Sequence, residues 1–178
     1  MQKLLLLLLA ALLISGIAYA HKKEGSIMLK NNLIIQSPAY QNNSVLPIKY
    51  TADGDSINPP LIFKNVPKNA KSLVLILEDP DAPRGIFVHW IAYNLSPETK
   101  GISEGTMPAE ASFGKNTIGG TEYISPSPPP GKPHHYIFKL YALDTKLPDD
   151  KSLDRKELLK LMNGHILAQA SLTGIYGR

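Results

Sequence analysis

The chain has 178 residues, a formal net charge of +4 at pH 7 and a sequence pI near 9.2. It contains no cysteine, which excludes disulfides and a lipid-anchored N-terminal cysteine. The basic residues are scattered, with no run longer than Lys22-Lys23 and Arg155-Lys156, so the sequence lacks the clustered basic stripe that binds nucleic acid.

The N-terminus predicts a secretory signal peptide at residues 1–20. Lys3 gives a basic start, residues 4–17 are uncharged and apolar, and Ala18-Tyr19-Ala20 is a typical cleavage pattern. We expect cleavage after Ala20, export to the periplasm or out of the cell, and a mature single domain of residues 21–178 that does not span the membrane. The alternative is an uncleaved anchor, because residues 4–20 form a 17-residue apolar stretch and a spanning helix needs about 20.

Short apolar runs predict a mostly β fold. The 15 prolines and 13 glycines interrupt these runs repeatedly, as in strands joined by loops. Weaker strands are predicted at residues 32–36 and 47–51. Stronger ones are predicted at 72–77 and 87–95, where nearly continuous apolar sequence indicates central strands buried on both faces.

The C-terminal half predicts one more strong strand and one helix. Residues 135–143 are rich in aromatic and β-branched side chains, which favour a strand. Asp154 and Glu157 have the spacing of a capping box, and an apolar helix face follows before Gly164. Residues 166–176 are compatible with a strand or with a continuation of the helix.

A proline-rich segment, residues 125–131, is predicted to be a rigid loop. It reads Ser-Pro-Ser-Pro-Pro-Pro-Gly and is too short for a linker between domains. Proline fixes φ, so such a loop holds a concave shape with little entropy to lose on binding.

Polar residues at strand ends are the candidates for a site. Asp79 and Asp81 follow a predicted strand in the segment Asp-Pro-Asp-Ala-Pro that ends at Pro83, although Asp and Pro are also ordinary turn residues. His89 lies within an apolar strand, where a buried imidazole needs a hydrogen-bond partner. Because side chains alternate along a strand, His134 and Tyr136 are predicted to share one face.

These groups allow three chemistries, and the residues alone do not choose among them. They can bind a small anion, hold a divalent metal through His89, His134 and Asp79, or act as general acid and base. The sequence has no cysteine, no nucleophile elbow and no glycine-rich nucleotide loop, so we expect no cofactor and consider nucleophilic hydrolysis disfavoured.

The order of these motifs is similar to that of the phosphatidylethanolamine-binding protein family, and most similar to its bacterial Raf-kinase-inhibitor-like branch. The resemblance covers nearly all of the mature chain. It rests on these segments: Asp79-Pro80-Asp81-Ala82-Pro83, His89-Trp90, the loop ending at Gly131, His134-His135-Tyr136, Ser37-Pro38-Ala39-Tyr40, Asn58-Pro59-Pro60-Leu61 and Gly164-His165-Ile166-Leu167-Ala168. It implies a large antiparallel β-sheet packed on a smaller sheet, with a helix near the C-terminus.

The resemblance also implies a pocket that accepts phosphate-like or carboxylate anions. Its ligand-binding positions fall here on Asp79, Asp81, Pro83, His89, Ser127, Pro128, His134 and Tyr136. Protonated histidine and the tyrosine hydroxyl would donate to the anion, while the carboxylates orient the imidazoles or meet a cationic head group. Ser125 and Ser127 stand where the family commonly has glycines, so we expect serine hydroxyls to be able to substitute for backbone amides as donors to the anion. The short segment 84–88 predicts a more open or smaller rim.

We therefore expect an exported binding protein for a small anion or a phosphorylated head group. One alternative is a regulator of a protein partner such as a kinase or protease, as in eukaryotic members of the family. A less favoured alternative is an acid–base enzyme.

Overall fold

The computed structural model describes residues 32–150 and 153–178. The predicted signal peptide lies outside these residues. Within them, two β-sheets and one α-helix form the fold, which confirms the mostly β prediction. The elements are β1 (Ile34–Gln36), β2 (Ser44–Val45), β3 (Leu61–Lys64), β4 (Ser72–Asp79), β5 (Phe87–Leu95), β6 (Gly101–Ile102), β7 (Ser112–Phe113), β8 (His134–Leu143), α1 (Arg155–Met162) and β9 (Ile166–Tyr176).

The larger sheet has the strand order β2-β9-β8-β4-β5-β7, and the smaller one has the order β1-β3-β6. Neighbouring strands are antiparallel except for the parallel pair β2 and β9. Every residue of β4 is buried. The central, two-face-buried strand predicted from its apolar run is therefore confirmed, because β5 and β8 flank it and both faces are covered.

The core has two layers, one on each face of the larger sheet. Leu75, Trp90 and Phe138 face the smaller sheet and pack with residues such as Phe63. On the opposite face, apolar side chains of β4, β5 and β8 pack against α1 through fully buried Leu158 and Met162. Burial of such a side chain stabilises a fold by about 1.5–3 kcal/mol.

The helix begins as the sequence predicts. The Asp154 carboxylate accepts a hydrogen bond from the Glu157 backbone N–H at 2.9 Å, and the Glu157 carboxylate accepts from the Asp154 N–H at 3.1 Å. This is a complete capping box. The helix ends at Met162, and Gly164 follows with φ +84°, a conformation that glycine adopts easily.

Two sequence-based expectations are decided by the structure. Residues 47–51 are not a strand but a 3₁₀ turn at Ile48–Tyr50, because the Tyr50 N–H donates to the Pro47 carbonyl and the Thr51 N–H donates to that of Ile48. These local bonds use the backbone groups that a strand would offer to a neighbour. Residues 166–176 are a strand, which pairs with β8 along its length. No helix within the described residues is long and apolar enough to cross a membrane.

Candidate functional site

A small cavity of about 170 Å³ opens where β4 ends and β8 begins. Of the eight predicted site residues, all but Asp81 line it. Its lining consists of Asp79, Ala82, Pro83, Phe87, His89, Ile124, Ser125, Ser127, Pro128, Pro129, His134 and Tyr136. Strand ends and loops from distant parts of the chain thus meet at one place, as the motif order implied.

A wider surface groove of about 350 Å³ lies beside β8 and β9 and is lined in part by Lys139, Tyr141 and Ser171. Alternation along β8 places Lys139 on the other face of the sheet from Tyr136. The Lys139 ammonium already donates to the Glu78 carboxylate at 3.0 Å. The lysine of the groove is therefore engaged by the protein itself. We take the smaller cavity as the candidate site.

His134 is held by a carboxylate. Its Nδ1 lies 2.7 Å from Asp79 Oδ2, and the two side chains are only 8% and 5% exposed. The second oxygen of Asp79 accepts the Asp81 backbone N–H at 2.8 Å, which fixes the carboxylate. Since an ionised carboxylate only accepts, Nδ1 carries the proton and Nε2 is left for a ligand.

His89 lies at a β-bulge beside the cavity. Leu77 pairs with Trp90 and Glu78 pairs with Val88, so His89 is the extra residue on β5. The bulge places two consecutive side chains, His89 and Trp90, on the same face of the larger sheet as Tyr136. His89 lies beside Tyr136, with ring centroids 5.3 Å apart, and beside Phe87 at 4.7 Å.

The protonation of His89 is set by the backbone. Nδ1 lies 2.8 Å from the Ile124 carbonyl oxygen, which can only accept, so Nδ1 carries hydrogen. Nε2 is buried and has no hydrogen-bond partner within the described part of the chain. Burial lowers the pKa of His89, although the bond to Ile124 and the nearby Asp79 charge act in the opposite direction.

Tyr136 supplies a hydroxyl donor. Its side chain is almost fully buried, and its hydroxyl oxygen has no hydrogen-bond partner in the described residues. Burial, together with the negative charge of Asp79, raises the pKa of Tyr136, so the hydroxyl keeps its proton at neutral pH. The Tyr136 ring also stacks near His134, with centroids 6.4 Å apart.

Asp81 faces away from the cavity toward His135. Its Oδ2 accepts the His135 backbone N–H at 2.9 Å and lies 2.7 Å from the His135 ring Nδ1. These two hydrogen bonds lower the pKa of Asp81. Asp81 therefore joins the loop after β4 to the start of β8, and its predicted ligand-binding role remains a prediction.

The proline-rich loop forms one wall and is fixed from behind. The Ala52 N–H donates to the Pro126 carbonyl at 2.9 Å, and Arg178 Nη1 donates to the Pro128 carbonyl at 3.3 Å. Arg178 is itself held by Asp53 through contacts of 2.6 and 2.8 Å. Of the two serines of this loop, Ser125 donates to the Ser56 hydroxyl at 3.3 Å.

Sequence reasoning missed several contributors to this site. Phe87 had a usable signal, because it lies two residues before His89 on the same strand. The Ile124 carbonyl and the Asp53–Arg178 pair had no such signal in the sequence. His89 and Ile124 are 35 positions apart, and Asp53 and Arg178 are 125 positions apart.

The titratable groups that line the cavity are the Asp79 carboxyl, the two imidazoles and the Tyr136 phenol. Among its described lining residues there is no lysine or arginine. No group of three His, Cys, Asp or Glu side chains within residues 32–150 and 153–178 is arranged to hold a metal ion.

Comparison with known proteins gives consistent results. A sequence model described as phosphatidylethanolamine-binding protein matches residues 36–177. A UPF0098 protein of Pyrococcus horikoshii is 42% identical over 186 aligned residues, which cover 100% of this chain and 91% of that protein. A UPF0098 protein of Chlamydia trachomatis is 45% identical over 147 residues, covering 80% of this chain and 97% of that protein.

Two crystal structures have a similar fold. One is a putative phosphatidylethanolamine-binding protein homologue from Chlamydia trachomatis, with TM-score 0.79, 43% identity and coverage of 83% of this chain and 99% of that one. The other is Escherichia coli YbcL, described as a member of the mammalian family, with TM-score 0.76, 27% identity and coverage of 82% and 98%. The large sheet, the small sheet and the helix are thus those of known structures.

Proposed function

The chain belongs to the phosphatidylethanolamine-binding protein family, and we propose that it is a binding protein whose cavity accepts a small anionic group, phosphate or a phosphorylated head group. One observation carries this proposal. His89 and Tyr136 line the same cavity, and each keeps a buried polar atom without a protein partner. A buried polar group without a hydrogen bond costs about 1–3 kcal/mol, and an acid group bound between them removes that cost.

The size and lining of the cavity favour a head group. Sites for drug-sized molecules occupy about 300–1,000 Å³, whereas this cavity has about 170 Å³. Pro83, Phe87 and Pro128 supply apolar walls, and the polar atoms come from His89, His134 and Tyr136. This arrangement suits a compact acid group with a short apolar attachment.

His134 is the best residue for a direct test. In the His134→Asn variant the amide nitrogen replaces Nδ1 and keeps the contact with Asp79, but the ring nitrogen Nε2 is lost. Nε2 of neutral His134 can accept a hydrogen bond from the P–OH group of a singly protonated phosphate. A hydrogen bond to a charged group contributes about 1.5–3 kcal/mol, so we expect affinity to fall about tenfold to a hundredfold. Calorimetric titration with inorganic phosphate and with phosphoethanolamine measures the loss.

His165→Asn is a matched control. His165 makes a similar contact with Asp144 at 2.8 Å, but the pair is exposed and lies next to Leu143, at the opposite end of β8 from His134. We expect its affinities to equal those of the wild type. Absence of saturable binding of either anion at millimolar concentration, or equal loss in both variants, contradicts the proposed function.

We also propose that the protein acts outside the cytoplasm. The basic start, apolar stretch and Ala-Tyr-Ala pattern of residues 1–20 support export. N-terminal sequencing of protein recovered from intact cells should find His21 as the first residue. Recovery of the full-length chain in the membrane fraction instead supports a retained anchor.

A further inference from the structure

The cavity lacks a permanent positive charge. Its lining, as far as the structure describes it, contains the Asp79 carboxylate and two imidazoles but no lysine or arginine. Arg178 lies behind the proline-rich loop and is engaged by Asp53. An anion that enters the cavity therefore meets a nearby carboxylate and no fixed cation.

The existing hydrogen bonds determine which nitrogen of each imidazole is left for a ligand, and whether that nitrogen donates or accepts. Both rings use Nδ1 for an acceptor of the protein, the Ile124 carbonyl for His89 and the Asp79 carboxylate for His134. In its neutral form each ring then offers a lone pair at Nε2. A lone pair repels an anion oxygen, so a neutral His89 opposes the ligand that the cavity is proposed to bind.

We propose that the cavity binds its anion together with one proton, which His89 takes up at Nε2, and that it therefore selects singly charged acid groups. This inference rests on the proposed function. The proton comes from solvent and forms a new N–H bond with the Nε2 lone pair. That N–H donates to the anion oxygen, while Nδ1–H stays on the Ile124 carbonyl.

The groups around His89 explain why it takes up the proton only when the anion binds. Asp79 faces it from β4, His134 and Tyr136 face it from β8, and the Ile124 carbonyl faces it from the loop. Without ligand, burial keeps the pKa of His89 below its ordinary value. A negative charge within about 4–6 Å favours the protonated form, typically by 1–3 pKa units.

The same groups favour a singly charged ligand. One negative charge is balanced by the new charge on His89, whereas a second negative charge has only Asp79 nearby and no further cation in the lining. Carboxylates, phosphodiesters and singly protonated phosphomonoesters meet this requirement. Fully ionised phosphomonoesters and sulfate do not.

The test is a proton count during binding. Acetate and dimethyl phosphate keep a single charge near pH 7.5, so any proton taken up must reside on the protein. Calorimetric titrations in Tris and in HEPES, which differ in ionisation enthalpy, give the number of protons from the difference in observed heat. We expect about one proton per bound anion, and an affinity that falls up to tenfold per pH unit as the pH rises.

Two variants identify the residue that takes up the proton. In His89→Gln a permanent amide donor stands near the position of Nε2, so binding should persist with no proton uptake. In His134→Asn the proton uptake should remain. Long-range ¹H–¹⁵N spectra of the histidine rings should show Nε2 of His89 changing from a bare to a protonated nitrogen when acetate is added.

The outcomes separate this inference from the proposed function. If no anion binds, including inorganic phosphate, the proposed function fails and this inference fails with it. Binding of acetate or dimethyl phosphate without proton uptake overturns this inference alone, as does binding of phosphate or sulfate with neither monoanion bound. Uptake that persists in His89→Gln overturns the assignment to His89.

Discussion

The unpartnered hydroxyl of Tyr136 predicts that removing it stabilises the protein and weakens binding. The hydroxyl is buried, and no described residue bonds to it. Desolvation of such a group costs about 1–3 kcal/mol. The Tyr136→Phe variant removes this cost and keeps the ring contacts with His89 and His134, so we expect the free energy of unfolding to rise by about 1 kcal/mol.

Tyr93 provides the matched comparison. It is also a fully buried tyrosine of the large sheet, but its hydroxyl donates to the Asp150 carbonyl at 2.8 Å and accepts the Asp150 N–H at 3.0 Å. The Tyr93→Phe variant loses both bonds, so we expect its unfolding free energy to fall by about 1–3 kcal/mol. The same chemical change thus has opposite effects at the two positions.

Thermal unfolding followed by calorimetry measures both effects. For a domain of about 150–250 residues, 1 kcal/mol shifts Tm by about 2–4 °C. Tyr136→Phe should therefore melt a few degrees above the wild type, and Tyr93→Phe below it. Affinity for phosphate should fall about twofold to twelvefold in Tyr136→Phe, which corresponds to a hydrogen bond of about 0.5–1.5 kcal/mol. A Tm for Tyr136→Phe as low as that of Tyr93→Phe refutes the reasoning.

Three further predictions concern the acids around the cavity. Asp79→Ala leaves buried His134 Nδ1 without its acceptor, so we expect about 1–3 kcal/mol less stability in urea unfolding and weaker phosphate binding. Asp81 has a pKa lowered by His135, so its stabilising effect is complete above pH 3.8 and is lost as pH falls toward the lower folded-state pKa. As the pH is lowered from 5 to 2, the Tm of Asp81→Asn should accordingly fall less steeply than the Tm of the wild type. An equal fall of Tm in both proteins would argue against this contact. Asp53→Ala releases Arg178, which holds the proline-rich loop, from one partner, so phosphate affinity should fall while Tm changes little. An unchanged affinity means that the proline-rich loop holds its shape without the Asp53–Arg178 pair.

The sequence was informative wherever local pattern decides structure. The apolar runs of β4 and β5 were strong enough to place central strands, and alternation along β8 correctly put His134 and Tyr136 on one face. The Asp154 capping box marked the start of α1 because all its contacts lie within four residues. These features depend on backbone periodicity and on neighbouring side chains.

The remaining features depend on contacts between distant residues. The bulge at His89 arises from pairing with β4, and nothing in the sequence of β5 marks it. Asp81 lies only two residues after Asp79, yet it faces His135, because the chain turns after β4 with the Asp81 N–H bonded to the Asp79 carboxylate. Residues 47–51 have the apolar content of a strand, but Tyr50 reaches the core through a 3₁₀ turn instead.

The adjacent acids at the end of β4 make this strand intolerant of insertions and deletions. Asp79 lines the cavity, while Glu78 points to the helix side and accepts from Lys139 at 3.0 Å and from Arg155 at 2.9 Å. A single added or lost residue exchanges the faces of the two side chains. Glu78 then enters a cavity shaped for a shorter acid, and two cations lose their counter-ion. Length variation among relatives should therefore be confined to the loops, with the spacing between Ser72 and Asp79 kept fixed.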